Sequence, residues 1–311
     1  MATPDEIRQW RAEQYNATAV SIRKSHDDLA VLRVQPDFNI PDHRAGQYTT
    51  LGMGAWEPRR DDAQEESIAP ADENKLIRRA YSISHPILDD QGQLVPAAQG
   101  STLEFYIALL KNTDSEKPPR LTPRLYLLRE GERLFVGERI TGHFNLDGVK
   151  PDNTVVFLST GTGEAPHNFM TWELLANGHR GLIVFVSCVR IRSDLAYRET
   201  HESLAKMFPN FRYVPLTTRE AIPTGRKVYI QDAIESGELE KQARFTLDPA
   251  TTHVFLCGNP KMIGVPIVDR TTGTQSYPQP KGAIEVLEGR GFRAHLPQLK
   301  QEGNLHFEQY W

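Results

Sequence analysis

Residues 154–176 read Thr154-Val-Val-Phe-Leu-Ser-Thr-Gly-Thr-Gly-Glu-Ala-Pro-His-Asn-Phe-Met-Thr-Trp-Glu-Leu-Leu-Ala176, and this stretch decides the fold. The apolar run Thr154–Ser159 has strand length, and the glycine-containing segment Thr160–Pro166 follows it. Helical spacing then runs from Asn168 to Ala176. The pattern predicts a strand, a glycine turn and a helix. Small residues in such a turn leave room for a ligand at the backbone, and a helix start offers unpaired N–H groups to a phosphate.

This turn alone does not establish a nucleotide site. The usual dinucleotide fingerprint has a third glycine where Pro166 stands. A tight strand–helix connection without a ligand is therefore an open alternative.

The second half of the chain alternates strands with helices. Apolar runs at Leu182–Val186, Phe211–Leu216 and His253–Cys257 predict strands, and Asp194–Met207 predicts a helix. Such alternation is typical of βαβ units with a parallel sheet, whose ligands bind outside the carboxyl ends of the strands. We therefore expect an α/β nucleotide-binding domain over residues 151–311.

Arginines and a cysteine turn stand at those predicted strand ends. Arg190 and Arg219 follow the second and third strands, and Arg226 comes shortly after. Together they could clamp a terminal phosphate, such as the 2′-phosphate that distinguishes NADP from NAD, although each alone is typical of a surface charge. Cys257-Gly258-Asn259-Pro260 is a tight turn that could place the thiol over a ligand, and a buried inert thiol is its alternative.

The first half, residues 1–150, reads as β structure. Short β-rich runs separated by turn residues predict a small antiparallel barrel, with strands at Thr18–Lys24, Leu29–Val34, Gln47–Leu51, Ala80–Ser84, Leu103–Leu110 and Arg133–Glu138. The segment Gly52–Asn74 carries seven acidic residues with little periodicity. It predicts a solvated, mobile insertion, with an acidic partner-docking loop as the alternative.

Two segments in this half contain groups that could bind a ligand. Strand alternation sends Arg79 and Tyr81 to one face and Ala80 and Ser82 to the other, so a phosphate-binding guanidinium and a stacking ring lie together. An ordinary edge strand is the alternative. Further on, Thr122 can act as an N-cap before a proline, which predicts a helix start that binds an anion or a mere connector helix.

Composition excludes several functions. The 311 residues carry a net charge of −4 and a pI near 6.2, which argues against nucleic-acid binding. Two cysteines, Cys188 and Cys257, cannot build a disulfide scaffold or a four-cysteine iron–sulfur cluster. Without a signal-like leader or 18 consecutive apolar residues, the expectation is a soluble, cytoplasmic protein that does not bind membranes.

Five motifs occur in the order seen in ferredoxin–NADP reductases, and the chain most resembles the bacterial type that ends in an aromatic pair. They are Arg79-Ala80-Tyr81-Ser82, Leu121-Thr122-Pro123, Gly161-Thr162-Gly163-x-Ala165-Pro166, Cys257-Gly258-Asn259-Pro260-x-Met262 and Tyr310-Trp311. The resemblance extends from about Thr18 to Trp311. It implies an N-terminal Greek-key β-barrel that binds FAD, over residues 1–150, and a C-terminal α/β domain that binds NADP(H), over residues 151–311.

The resemblance also implies roles in the FAD domain. Arg79, with Ala80, would bind the FAD pyrophosphate, Tyr81 would stack on the isoalloxazine, and Ser82 would hydrogen-bond near flavin N5. The second pyrophosphate contact would come from Leu121 and Thr122. The flavin would be lined by Ile107 and Leu109.

In the NADP domain the resemblance implies a pyrophosphate loop made of Gly161, Thr162 and Gly163. The 2′-phosphate would be bound by Arg190, Thr218, Arg219 and Arg226. Cys257 would lie close to the nicotinamide, next to Gly258, Asn259 and Met262, and Trp311 would pack on FAD. The residues implied to act at the reacting rings are Ser82, Cys257 and Trp311.

The implied activity is that of a ferredoxin–NADP reductase. NADPH would pass a hydride to FAD, and electrons would leave singly to a ferredoxin or flavodoxin; the enzyme is expected to be a monomer. An acidic carrier could meet a basic rim formed by Arg78, Arg124, Arg129, Arg133 and Arg139, with solvated faces as the alternative. A reductase of the same fold that serves an oxygenase or free flavin is the nearest alternative, and a non-catalytic flavin- and nucleotide-binding sensor is another.

Four features depart from the family pattern. Glu164 occupies a position that is usually small or apolar, where an acid would oppose phosphate binding unless it points away. The segment Gly52–Asn74, the Thr113–Pro119 loop and the segment Val268–Lys281 have no counterpart that we can place.

Overall fold

The computed structural model of the chain describes residues 2–96, 100–113, 117–220, 228–269 and 274–310. Two compact units result, Met1–His85 with Ala97–Asn145 and Pro86–Pro96 with Leu146–Trp311. The assignment of FAD to residues 1–150 and of NADP(H) to residues 151–311 stays a prediction.

The first unit is an antiparallel barrel. Its helices are α1 (Pro4–Gln14) and α2 (Thr122–Leu125), and its strands are β1 (Ala17–His26), β2 (Leu29–Pro36), β3 (Tyr48–Gly54), β4 (Leu76–Ser82), β5 (Leu103–Ala108) and β6 (Arg133–Val136). The six strands pair in the order β4-β3-β6-β1-β2-β5. Ser84, just beyond β4, pairs with Glu104 in β5, so the two edges of the sheet meet. The predicted Greek-key barrel is confirmed.

Side-chain alternation fills the barrel. In β6, Leu134 and Val136 are fully buried, whereas Arg133 and Phe135 on the opposite face are partly exposed. Phe105 and Leu51 are also fully buried, on β5 and β3. The apolar residues of the short strands therefore share one interior.

The second unit is a parallel sheet with helices. Its strands are β7 (Thr154–Thr160), β8 (Ile183–Val189), β9 (Phe211–Thr217), β10 (Thr252–Gly258), β11 (Ile267–Val268), β12 (Gln275–Ser276) and β13 (Leu305–Gln309). The helices are α3 (Glu164–Ala176), α4 (Arg198–Met207), α5 (Ile230–Glu235), α6 (Glu238–Ala243), α7 (Pro260–Ile263) and α8 (Ala283–Glu288). Five strands pair in parallel in the order β13-β10-β7-β8-β9, which confirms the predicted α/β architecture.

Both faces of this sheet are buried. On one face Val156 and Leu158 join an apolar cluster with residues of α5, α6 and α8. On the other face Phe157 and Phe185 contact the rings of His167 in α3 and His201 in α4. Burial on both faces explains why these strands read as continuous apolar runs.

Two predicted helix starts are wrong. α3 begins at Glu164 rather than Asn168, because the glycine turn leads directly into the helix. α4 begins at Arg198 rather than Asp194. The Asp194 carboxyl accepts hydrogen bonds from Arg190 Nε and from the backbone N–H of Ile191, which ties residues 191–194 into a separate turn. Among the described residues, no helix has both the length and the apolar character needed to cross a membrane.

Candidate functional site

The parallel sheet has a switch point between β7 and β10. The chain proceeds from β7 through β8 to β9 on one side and returns to β10 and β13 on the other. Ligands of open α/β sheets bind outside the carboxyl ends of the strands at such a point. The turn Gly161–Gly163 follows β7, and Asn259 follows β10. Two sequence motifs separated by almost one hundred residues therefore meet where the fold offers a ligand site.

The two turns pack without room for side chains. A Cβ on Gly163 would lie 2.2 Å from the carbonyl oxygen of Cys257. Gly258 has φ of +122°, and a Cβ there would lie 2.3 Å from Oγ1 of Thr160. The same Thr160 Oγ1 accepts a hydrogen bond of 2.7 Å from the backbone N–H of Asn259. Gly163 and Gly258 are thus required by the contact between the turns.

Gly161 differs from these two glycines. Its φ is +52°, and among the described residues no atom comes within 4 Å of the place where its Cβ would stand. Thr162 beside it is half-buried. The first glycine of the turn therefore leaves open space at the backbone, which fits the close approach of a phosphate.

Cys257 is fully buried at the end of β10, and burial holds the pKa of its thiol well above the usual value. Asn259 caps α7, since its side chain accepts a 2.8 Å hydrogen bond from the backbone N–H of Lys261, and Met262 is buried behind it. Tyr310 N–H donates to the carbonyl of Gly258 at 2.9 Å. The predicted contact Trp311 lies outside the described residues.

Glu164 points away from the turn. Its side chain is buried and accepts a hydrogen bond from the hydroxyl of Ser187 in β8. Burial raises the pKa of Glu164 to about 7, while the Ser187 hydrogen bond opposes the rise. The acid that seemed to conflict with phosphate binding is therefore directed into the core of the unit and loses much of its charge near neutral pH.

The predicted phosphate clamp is partly assembled. Backbone N–H of Arg219 donates to the carbonyl of Arg190 at 2.8 Å, and Thr218 N–H donates to Val189 at 2.9 Å. Arg190 and Arg219 are both exposed at adjacent strand ends. Arg226 lies outside the described residues.

One acid lies near these arginines, which the sequence did not indicate. Glu220 Oε2 accepts a hydrogen bond of 2.8 Å from the backbone N–H of Arg192. Its carboxylate therefore lies beside the strand end that carries Arg190.

The first unit carries the other predicted site on β4. Arg79 is exposed, and its Nη1 donates to the carbonyl of Arg78 at 2.9 Å. Tyr81 is half-buried; burial raises the pKa of its phenol, and the nearby Arg79 charge opposes that rise. Strand alternation puts Arg79 and Tyr81 on the same face of β4, while Ser82 is buried and Ala80 is exposed. These positions suit a guanidinium and a ring that face a common ligand.

Ile107 and Leu109 are buried at the end of β5, and Tyr126 OH donates to the carbonyl of Ile107 at 3.1 Å. The predicted capping role of Thr122 is wrong. Leu121 occupies the N-cap, and Thr122 begins a helix of only four residues. Thr122 Oγ1 instead accepts a hydrogen bond of 3.1 Å from Leu110 N–H, because the segment packs across the end of β5.

The acidic segment Gly52–Asn74 is only in part the solvated insertion that its composition predicted, since Asp61, Asp62 and Glu65 are exposed whereas two other acids are buried. Gly52 to Gly54 belong to β3. Glu57 is buried and accepts hydrogen bonds from Arg11 Nε, Tyr15 OH and Trp56 Nε1 at 2.7, 2.8 and 3.0 Å.

Glu66 is also buried, beneath three arginines: Arg59, Arg120 and Arg124. The sequence did not indicate this burial, because the two arginines that donate hydrogen bonds to Glu66, Arg120 and Arg124, lie more than fifty residues away.

The predicted basic rim is wrong in two positions. Arg124 is buried against Glu66, and Arg133 binds Asp37 through both terminal nitrogens. Arg78, whose guanidinium lies 5.5 Å from the Phe135 ring centroid, remains exposed, as do Arg129 and Arg139.

Comparisons with known proteins agree with this geometry. The family model "Oxidoreductase NAD-binding domain" matches residues 157–265. A flavodoxin/ferredoxin–NADP reductase of Buchnera aphidicola is 26% identical over 95% of this chain and 98% of its own length. Ferredoxin–NADP reductase A of Sorangium cellulosum is 32% identical over 61% of this chain and 64% of its own.

Solved structures share the two-unit fold. A ferredoxin NADP⁺ reductase from Neisseria gonorrhoeae, with bound FAD and NADP, has a TM-score of 0.69 at 19% identity, covering 95% of this chain and 98% of that one. The FAD/NAD-binding domain of a nitric oxide dioxygenase from Vibrio cholerae has a TM-score of 0.61 at 14% identity, covering 96% and 98%. At these identities the structural likeness shows the fold.

Proposed function

Since this chain is a relative of the ferredoxin–NADP reductases, as its motifs predicted, we propose that it is an FAD-dependent oxidoreductase. It transfers electrons between NADP(H) and a one-electron carrier, a ferredoxin or flavodoxin, the carriers in the names of its curated relatives. The observation that carries this proposal is the meeting of the Gly161–Gly163 and Cys257–Asn259 turns at the sheet switch point, with open space over Gly161.

On the NADP(H) side, the backbone of Gly161, Thr162 and Gly163 would bind the pyrophosphate. The exposed guanidiniums of Arg190 and Arg219, with Thr218 and Arg226, would bind the 2′-phosphate. Asn259 and Met262 would hold the turn that carries Cys257. The raised pKa of Glu164 supports this assignment, because it limits negative charge next to the phosphate loop.

On the FAD side, Arg79 and the Leu121–Thr122 backbone would bind the pyrophosphate. Tyr81 would stack on the flavin ring, Ile107 and Leu109 would line its site, and Ser82 would donate a hydrogen bond near N5. Ala80, between Arg79 and Tyr81, is small and exposed, and a larger side chain there would crowd the ligand.

When bound, FAD supplies the chemistry, because it accepts a hydride from NADPH and releases electrons one at a time. The chain's own residues bind and orient the two rings, and hydride transfer requires no general acid or base. The Cys257 thiol, whose pKa lies well above the usual value, stays protonated and serves as a packing contact for the nicotinamide. Ser82 and Trp311 would orient and shield the flavin.

The electron acceptor must come from another protein. Both cysteines are free and buried, so this chain cannot hold a cysteine-ligated cluster of its own. Two buried thiols also suit a reducing compartment, which supports a cytoplasmic location.

The test measures NADPH and NADH oxidation by the FAD-loaded protein with ferricyanide as acceptor. The double variant Arg190→Ala/Arg219→Ala should lose about 100-fold in kcat/KM for NADPH and little for NADH, because two charge-assisted phosphate contacts disappear. Arg180→Ala is the matched control, since Arg180 pairs with Asp152 at the amino ends of β7 and β8, whereas Arg190 and Arg219 follow carboxyl ends of strands. Equal use of both nucleotides by the wild type would remove the NADP assignment.

A second experiment compares the rate of electron transfer to a protein carrier with the rate of transfer to small acceptors. Reduced ferredoxin or flavodoxin should form faster than free flavin is reduced at equal acceptor concentration. The opposite order would identify a flavin reductase of the same fold.

A further inference from the structure

Glu66 lies at the centre of a buried charge cluster in the first unit. Its side chain is 1% exposed, and its Oε2 accepts a hydrogen bond of 2.6 Å from Nη1 of Arg124, whose side chain is 2% exposed. Its Oε1 accepts from Nε of Arg120, and Nε of Arg59 lies 3.5 Å from Oε2. One carboxylate therefore serves three guanidiniums.

The same guanidiniums bind backbone on both sides of Glu66. Arg124 Nη1 donates to the carbonyl of Arg120 at 2.7 Å, and its Nη2 donates to Ala55 at 3.0 Å. Arg59 Nη2 donates to the carbonyl of Pro119 at 3.1 Å.

Direct backbone bonds reinforce this connection. Arg60 N–H donates to the carbonyl of Pro123 at 3.1 Å, and Gln64 N–H donates to Lys111 at 2.8 Å. Residues 55–66 are thus connected to the chain on both sides of Leu121–Thr122, at Pro119 and Arg120 before the pair and at Pro123 and Arg124 after it.

We propose that Glu66 is a positioning residue for the dinucleotide cofactor: through Arg120 and Arg124 it fixes the Leu121–Thr122 backbone in the place where it meets the FAD pyrophosphate. This inference rests on the proposed function, which assigns that backbone to FAD. The acidic segment then has a structural role. It stabilises the Leu121–Thr122 segment, whose own helix has only one turn.

Glu66 acts in its ionised form. Burial alone would raise the pKa of Glu66, but its hydrogen bonds from Arg120 and Arg124 hold the pKa below the usual value. Three guanidiniums and one carboxylate leave two net positive charges beside the Leu121–Thr122 segment. Neutralising Glu66 raises this to three, so electrostatics alone would strengthen pyrophosphate binding, whereas loss of positioning weakens it. The change in charge and the loss of positioning therefore shift the dissociation constant for FAD in opposite directions.

The experiment compares two flavins on the full-length chain stripped of bound flavin. FAD carries the pyrophosphate, whereas FMN carries the same ring with a single phosphate. Dissociation constants are measured by quenching of flavin fluorescence for the wild type, Glu66→Gln and Glu65→Gln. Glu65 is the matched control because it is the exposed acid next in the chain.

In Glu66→Gln the dissociation constant for FAD should rise about tenfold or more, the loss expected for charge-assisted hydrogen bonds, and that for FMN by less than about threefold. Glu65→Gln should match the wild type with both flavins. Tighter FAD binding in Glu66→Gln would overturn the inference in favour of a purely electrostatic role. Equal weakening of FAD and FMN would overturn it in favour of general stabilisation of the fold.

Arg120→Lys provides a second route if Glu66→Gln does not fold. The Arg120 side chain is 36% exposed, and lysine keeps its positive charge while it loses the guanidinium hydrogen bond to Glu66, so the buried Arg124 pair stays intact. FAD affinity should fall about threefold to fivefold with FMN unchanged. A wild-type chain that binds neither flavin would contradict the proposed function itself, and wild-type binding with no effect in either variant would contradict only the role of Glu66.

Discussion

Nε of Arg190 donates a hydrogen bond of 3.2 Å to Oδ2 of Asp194, and the Asp194 side chain is only 3% exposed although its partner is 47% exposed. The arginine is therefore anchored by its inner nitrogen to a buried carboxyl. Within the described part of the chain, this is the contact that its guanidinium makes, so the two terminal nitrogens are left for a ligand.

Asp194→Asn should weaken the use of NADPH. The amide keeps the shape but removes the charge that orients Arg190, so we expect KM for NADPH to rise about fivefold to tenfold with KM for NADH unchanged. Steady-state kinetics on both nucleotides measures this. Asp152→Asn is the control, since Asp152 pairs with Arg180 through both carboxylate oxygens at the amino ends of β7 and β8. An equal rise for NADH would show that Asp194 supports the fold and not the clamp.

Gly163→Ala should destabilise the second unit by about 2–3 kcal/mol. The new Cβ would lie 2.2 Å from the backbone carbonyl oxygen of Cys257. Because Cβ is attached rigidly to the backbone, relief of this clash requires the turn after β7 and the end of β10 to move apart. Urea unfolding measures the change. Gly289→Ala, at φ of −60° with nearest contacts of 3.4 and 3.5 Å, should stay within about 0.5 kcal/mol of the wild type. A neutral Gly163→Ala would show that the two turns are not in contact in solution.

Glu164→Gln should stabilise the protein increasingly as the pH rises. Burial raises the pKa of Glu164 from 4.5 to about 7, so between these values the folded chain binds a proton that the unfolded chain has released. The wild type therefore loses stability from pH 4.5 upward, by up to about 3 kcal/mol above pH 7, and the glutamine variant does not.

Urea unfolding at several pH values checks this difference between Glu164→Gln and the wild type. Glu199→Gln, at an exposed position of α4, should track the wild type at every pH. A difference between Glu164→Gln and the wild type that does not change with pH would refute a raised pKa at Glu164.

His201→Phe should protect the protein against acid. The His201 ring is fully buried 4.0 Å from the Phe185 centroid, and burial lowers its pKa from 6.5 to about 3. As the pH falls below 6.5 the unfolded chain binds a proton that the folded chain excludes, so stability drops by about 2 kcal/mol at pH 5.

Phenylalanine has a ring of similar size that cannot be protonated, so His201→Phe should not lose this stability at acid pH. Thermal unfolding at pH 5 and pH 7.5 measures the difference. His143→Phe, on an exposed residue, serves as the control. The prediction fails if His201→Phe lowers stability as much at pH 5 as at pH 7.5.

Much of the fold follows from local patterns in the sequence. The apolar runs of β7, β8 and β10 are buried on both faces, so they appear as continuous hydrophobic segments between helices. Among the barrel strands, β6 alternates because one of its faces is buried and the other is partly exposed, whereas β5 is buried on both faces over Leu103–Ile107. The order of the motifs was sufficient to indicate the family, because each motif is contiguous.

The candidate site has features that local sequence patterns could not predict. Glycine content predicted a ligand turn at residues 161–163, but only the fold distinguishes Gly161, which leaves open space, from Gly163, which packs on Cys257. The proline after Thr122 predicted that the Thr122 hydroxyl would cap a helix. In the structure this hydroxyl instead accepts a hydrogen bond from the Leu110 N–H, just beyond the end of β5.

Charge placement depended most on tertiary structure. Glu66, Glu164 and Arg124 look like surface charges in the sequence, and each is buried because a partner distant in the chain arrives beside it. The sequence by itself determined the strands, helices and motif order, which arise from contacts between near neighbours along the chain. Only the tertiary structure decided which charges are buried and which glycines face a ligand, because both depend on atoms that folding brings together from far apart.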